Sequence, residues 1–219
     1  MGLSVQEFHT GFDTKISDNP YASELFTRLR QWLAQLDTHA TAHSRNTRAF
    51  SESVTNKQAA QAALRLVLES VNRTIKPLEK TMPGIVDKFR IPARLKDQDL
   101  LIFARAVAVD AAPIKAELIK RGLSATIIED ITAAAAAFEQ AVGRRIQSKE
   151  SRIASGATVK KILKECMSIV RELDPIVRNI FADDVAALAA WESASRVERA
   201  ARRTKSNAPP STQTPAPAH

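Results

Sequence analysis

Apolar residues in this chain recur at the three- and four-residue spacing of a helix, and strand-like alternation is almost absent. Leu64, Leu68, Val71, Ile75 and Leu78 form one such stripe. Ile162, Cys166, Ile169, Leu173 and Ile176 repeat its spacing 98 residues later, and Pro77 and Pro175 keep the same offset. Upstream, Leu25, Leu29 and Leu33 map onto Leu123, Ile127 and Ile131. The echo predicts two related helix hairpins, as pseudo-repeats over about residues 20–96 and 118–190.

Local signals divide the chain further. Phe8, Phe12 and Ile16 predict one short amphipathic helix within an N-terminal segment, residues 1–19. Asp18-Asn19-Pro20 reads as a helix start, with a capping side chain followed by proline in the first turn. From there Leu25, Leu29, Leu33, Leu36, Ala40, His43, Thr47, Phe50 and Val54 lie at helical spacing, but the stripe turns polar halfway. The expectation is a first helix to about residue 56, loosely buried in its distal part or broken near Ser44–Asn46. A second follows over about 57–81.

Pro83-Gly84 ends that helix, and residues 83–96 read as a crossover pinned by Ile85, Phe89 and Ile91; a binding loop is the alternative. Asp97 is the expected cap of the next helix. Pro113 splits it, with Asp110 capping the restart. Gly122 is a stop signal and Ser124 a cap. Helices over about 124–154 and 158–181 follow, with a break at Gly156 and a kink or restart at Asp174-Pro175. A last helix runs from Asp183 to about Arg203. Residues 206–219 hold four Pro and no acidic, Lys or Arg side chain, the pattern of a disordered tail. The predicted fold is all-α: a single domain over 20–205, a four-helix bundle from the two hairpins, with 97–121 and 183–203 as accessory helices.

Composition agrees. Among 219 residues only six are Gly, and Ala133 to Ala137 is an unbroken run. No apolar stretch approaches the roughly 20 residues of a membrane span. Met1 to Glu7 lacks the pattern of a signal peptide. Cys166 is the one cysteine, so a disulfide within the chain is excluded. A cytoplasmic protein without membrane contact is the expectation.

The net charge of +8 is concentrated. Residues 144–164 carry Arg144, Arg145, Lys149, Arg152, Lys160, Lys161 and Lys164 against Glu150, a local charge of +6. Residues 196–205 carry Arg196, Arg199, Arg202, Arg203 and Lys205 against Glu198, a local charge of +4. Cations near helix C-termini are stabilising, which accounts for part of the pattern. It does not account for Lys160, Lys161 and Lys164, in the first turns of their expected helix. A turn at Gly156 brings the flanking stretches together as a positive cap suited to phosphates. No aromatic residue lies within 144–164, so base stacking on a single strand is not expected there.

Catalytic and metal chemistry has less to build on. His39 and His43, four apart, share a helix face and are the only candidate metal pair. No Glu-x-x-His accompanies them. Cys166 sits among apolar stripe neighbours that disfavour a thiolate. No nucleophile elbow, phosphate loop or dinucleotide loop is present, and nothing calls for a cofactor. Asp97/Asp99 and Asp183/Asp184 are ordinary helix-start acids. Phe181, Leu188, Trp191 and Val197 give the last helix an apolar side, for docking on the bundle or for a partner helix.

Phe89-Arg90-Ile91-Pro92, Leu173-Asp174-Pro175-Ile176-Val177-Arg178-Asn179 and Trp191-Glu192-Ser193-Ala194 together resemble a group of uncharacterised bacterial all-helical proteins of about this length. The likeness covers most of residues 20–203 and implies a bacterial intracellular protein, with no activity or functional residue to carry over. The expected function is a non-catalytic interaction or scaffold protein that binds a protein partner or itself. The alternatives are an accessory, nonspecific nucleic-acid binder using the basic stretches, and a metal protein or enzyme.

Overall fold

Residues 21–75 contain neither Gly nor Pro, so no residue there interrupts the backbone ladder of a helix. The computed structural model, which describes residues 2–196, makes them one element. In chain order the helices are α1 (Gly2–Gly11), α2 (Asp13–Ser17), α3 (Pro20–Ile75), α4 (Ile85–Phe89), α5 (Asp97–Ala111), α6 (Lys115–Lys120), α7 (Ile127–Ile180) and α8 (Val185–Ser195). Two 3-10 turns, Lys76–Lys80 and Ala112–Ile114, contain Pro77 and Pro113. The fold is all-α and helices pack into bundles, as expected.

The hairpins are not there. Each expected pair is one long helix, of 56 residues in α3 and 54 in α7. At about 1.5 Å per residue each is roughly 80 Å long. α7 runs through Gly143, Gly156 and Pro175. Among the described residues positive φ occurs only at Gly84 and Gly122, both at helix boundaries, so the two glycines inside α7 cost only propensity, about 1 kcal/mol each. Pro175 and Arg171, whose carbonyl loses its donor, are both exposed, so water can satisfy that carbonyl.

The described chain divides into two compact units: residues 31–167, and residues 2–30 with 168–196. In the first, Leu64, Leu68, Val71, Ile75 and Leu78 pack with Leu100, Leu101, Ala104 and Val107 of α5 and Ile127, Ile131 and Phe138 of α7. The 83–96 crossover is pinned by buried Phe89, with Ile85 and Ile91 against the same core. Glu79 accepts from the amides of Gly84 and Val86 (2.8 and 3.1 Å), which holds its carboxyl below the usual range. Gly122 stops α6 at φ 91°, whereas Ser124 does not cap α7: its Oγ accepts from the Thr126 amide in the turn that precedes the helix, which starts at Ile127. Asp97 does not cap. Its carboxylate instead meets Lys57 Nζ at 2.6 Å. Asp110 caps no restart, because α5 continues past it to Ala111 before Pro113 tightens the chain into a 3-10 turn.

In the second unit the N-terminal segment is part of the core. Phe12 interrupts the expected short helix, giving α1 and α2, and Phe8 and Ile16 are buried. Phe8 lies 5.2 Å from Trp191 and 6.0 Å from Phe181, while Phe26 meets Trp191 edge-on at 6.4 Å. Asn19 caps α3 through the Ala22 amide, and Asp184 caps α8 through the Ala187 amide, both at 3.0 Å. Trp191 is fully buried, and its Nε1 donates to Asp174 at 2.8 Å. Arg178 Nε donates to the other Asp174 oxygen at 3.0 Å.

Burial pushes the Asp174 carboxyl up, but the bonds from Arg178 and Trp191 more than offset this, and its pKa lies below the usual aspartate value. A depressed folded-state pKa contributes stability that is present above about pH 4 and lost as pH falls through the folded value. The melting-temperature gap between the wild type and Asp174→Asn is therefore expected to be widest above about pH 5 and to narrow towards pH 3. A gap independent of pH would remove this role for Asp174.

Candidate functional site

Within residues 31–167, α3 and α7 run antiparallel: His43 meets Ser155, Asn46 meets Ser151, and Lys57 lies over the ring of Phe138. Both helices follow a seven-residue repeat. On α3 the inward positions are Leu36, His43, Phe50, Lys57 and Leu64, interleaved with Trp32, His39, Asn46, Ser53 and Ala60. On α7 they are Phe138, Arg145, Arg152, Val159 and Cys166, interleaved with Ala141, Ser148, Ser155 and Ile162. Every one of these is buried or half-buried. This is the 3-4 spacing of coiled coils.

The middle of the seam is polar. His43 Nδ1 and Ser155 Oγ are 3.0 Å apart, and Asn46 Nδ2 donates to the Ser151 carbonyl at 3.4 Å. Buried Ser53 donates to the Phe50 carbonyl at 2.7 Å. The Arg152 guanidinium stacks 4.3 Å from the Phe50 ring centroid. Among the described residues no buried side-chain nitrogen or oxygen lacks a partner. Gly156, expected as a turn, is a point of close approach instead. A Cβ there would stand 3.2 Å from His43 Cε1.

That geometry redistributes the predicted basic site. Because α7 does not turn at Gly156, the two stretches do not form a cap at one end. They spread along about 30 Å of one helix. Arg145 and Arg152 point into the seam, whereas Arg144, Lys149, Lys160, Lys161 and Lys164 are exposed. Among the described residues none of these seven lies within ion-pair distance of a carboxylate. Arg196 is exposed; Arg199, Arg202, Arg203, Lys205 and the 206–219 tail lie outside the described residues.

No family model, no curated protein and no solved structure matches this chain. The functional reading therefore rests on geometry and chemistry.

The remaining candidates sort by burial. His39 and His43 are both half-buried seam positions, and His43 is held by Ser155. Among the described residues no three His, Cys, Asp or Glu side chains converge as a metal set. Cys166 is buried, and burial pushes its thiol pKa up. Trp191, weighed as a partner surface, belongs to the core because its indole finds both aromatic neighbours and a carboxylate acceptor inside its own unit. Leu188 is half-buried.

The apolar stripes read from the sequence do not include the seam's second row, Trp32, His39, Asn46 and Ser53, nor the exposed Ile146, Ile153 and Leu163. The seven-residue interval was the available signal, and polar seam residues masked it.

Replacing Gly156 with Ala should gain about 1 kcal/mol of helix propensity but crowd His43. Urea denaturation is expected to show Gly156→Ala neutral or destabilising in the wild type and stabilising by about 0.5–1 kcal/mol in a His43→Ala background. Additive effects, within about 0.3 kcal/mol, would show that the contact carries no strain.

Proposed function

We propose that this is a non-catalytic helical interaction protein that binds an acidic protein surface along the exterior of α7. The observation that carries the reading is the set of exposed cations on one side of α7, Lys149, Lys160 and Lys164, none within ion-pair distance of a carboxylate among the described residues. Long antiparallel helices with a polar but satisfied seam supply a stiff support for such a set. Among the described residues no helix is long and apolar enough to cross a membrane.

A second reading, accessory nucleic-acid binding, draws on the same charges. A linear array of cations suits a linear polyanion, and such binding is nonspecific and steeply salt-dependent. The exposed isoleucines beside the lysines favour a protein partner, since a phosphate backbone gains nothing from them.

Fluorescence anisotropy of labelled polyglutamate and of duplex and single-stranded DNA and RNA, across about 50 to 300 mM salt, separates the readings. The full chain is compared with a Lys149→Glu/Lys160→Glu/Lys164→Glu variant whose fold is checked by circular dichroism. Polyglutamate is expected to bind salt-sensitively and to lose at least tenfold in the variant, with nucleic acid no tighter than about micromolar at physiological salt. Nanomolar nucleic-acid binding lost in the variant would establish the second reading instead. Unchanged binding by the variant would remove α7 from either.

A further inference from the structure

We propose that the groove along the outer side of α7, from Ile146 to Leu163, receives an acidic amphipathic helix from another protein as a third strand against α3 and α7. This rests on the interaction reading above and specifies its partner.

α7 carries a second row at 3-4-3-4-3 spacing outside its inward seam: Ile146, Lys149, Ile153, Gly156, Lys160 and Leu163. That spacing is what a packed helix requires. Nearer the start of α7 the row is already covered. There Ala135 and Val142 pack against the core to which α5 belongs, and Arg105 of α5 bridges Glu139 at 2.7 Å. Val170 and Val177, at the same register positions within residues 168–196, are buried as well. Between 146 and 163 the row is open: Ile146 is 51% exposed, Ile153 56% and Leu163 44%. α3 follows suit. Its facing positions Ala40 and Thr47 are exposed, whereas Leu68 and Ile75, in the same register, are buried under the bundle. At the middle of the row the surface is concave, and His43 and Thr47 of α3 line the hollow with Arg152, Ile153, Gly156 and Lys160 of α7.

Charge selects the occupant. Lys149 and Lys160 lie in the row with Lys164 beside it, whereas Arg144 falls on the other side of the seam, by Ala49, Glu52 and Asn56. The chain's own residues 197–219 are a poor match, with Arg199, Arg202, Arg203 and Lys205 against Glu198. A second copy laid antiparallel on this row sets Lys149 against Lys160, and laid parallel sets each lysine against itself. A helix with an apolar stripe and Glu or Asp beside it answers both features. Eighteen residues, about 27 Å, span the row.

The test uses the full chain and a labelled 21-residue designed helix, with Leu at the two packing positions of each heptad and Glu beside them. A scrambled peptide of the same composition, polyglutamate, duplex DNA and anionic phosphatidylglycerol vesicles serve as comparisons. The amphipathic helix is expected to bind at least tenfold more tightly than the scrambled peptide. Both Ile146→Ser/Ile153→Ser and Lys149→Glu/Lys160→Glu should weaken it at least tenfold with unchanged circular dichroism. The latter variant should instead take up the same peptide with Lys in place of Glu. Equal binding of scrambled peptide and polyglutamate, indifferent to Ile146 and Ile153, overturns the groove and leaves the interaction reading standing. Tighter binding of DNA or vesicles, lost in both variants, overturns the occupant's class. Absence of binding to every probe overturns both this proposal and the interaction reading.

Discussion

The antiparallel pairing of α3 and α7 along a seven-residue register is the constraint on which the 31–167 unit depends. One helix lying against one other cannot surround a side chain, so most inward positions between residues 36 and 60 are only half-buried. Apolar burial is correspondingly modest there, at about 25 cal/mol per Å² removed from water. Where α5 adds a third helix, the same register positions become fully buried and the side chains turn from His, Asn and Ser to Leu, Val and Phe. The change in residue type along the seam follows the number of helices around it.

A polar seam restricts how the helices meet. Sliding either by one heptad would take Ser155 from His43 and Arg152 from the Phe50 ring, leaving half-buried polar groups without their partners. Polar seam residues in coiled coils set register in this way at a cost in stability. Gly156 belongs to the same arrangement, because a side chain at that point would press on the imidazole that Ser155 holds. The polar middle thus supplies positional selectivity, and the apolar cores of the two units supply most of the burial.

Much of this was legible in the residues. The all-α class, the cap at Asn19, the stop at Gly122, the interruption at Pro113 and the pinned crossover with Phe89 all followed from local chemistry. The failures share one cause. The stripe that turns polar near Ser44–Asn46 is loosely buried, one of its two expected outcomes, but the helix ends expected near residue 56 and at Gly156 are absent, because fading hydrophobicity and glycine usually mark ends. Here they mark the stretch where only two helices meet. The 98-residue echo reflected the apolar stripes near the two ends of each long helix rather than hairpins. Arg145 and Arg152 could not be separated from their basic neighbours until the register of α7 was known.

That register changes what the basic residues require as an explanation. As cations near a helix C-terminus, Arg144 to Arg152 needed none, but in α7 they stand 28 or more residues before Ile180. The macrodipole acts within the last turn and does nothing for them. Local pairing does not help either. Arg145 and Lys149, Lys149 and Arg152, Lys160 and Lys164, and Lys161 and Lys164 are like charges three or four residues apart, each pair opposing the helix by about 0.2–0.5 kcal/mol. Glu150, the one acid among them, has Ile146, Gln147, Ile153 and Ala154 at those spacings. Of these cations only Lys161 has an acid at helical spacing, Glu165, so the helix bears a repulsion that its own sequence offsets only in part, beside apolar side chains that α5 leaves uncovered. A ligand that brings both carboxylates and an apolar stripe relieves both costs at once. The charge and the open row are for that reason better read as two parts of one surface than as separate features.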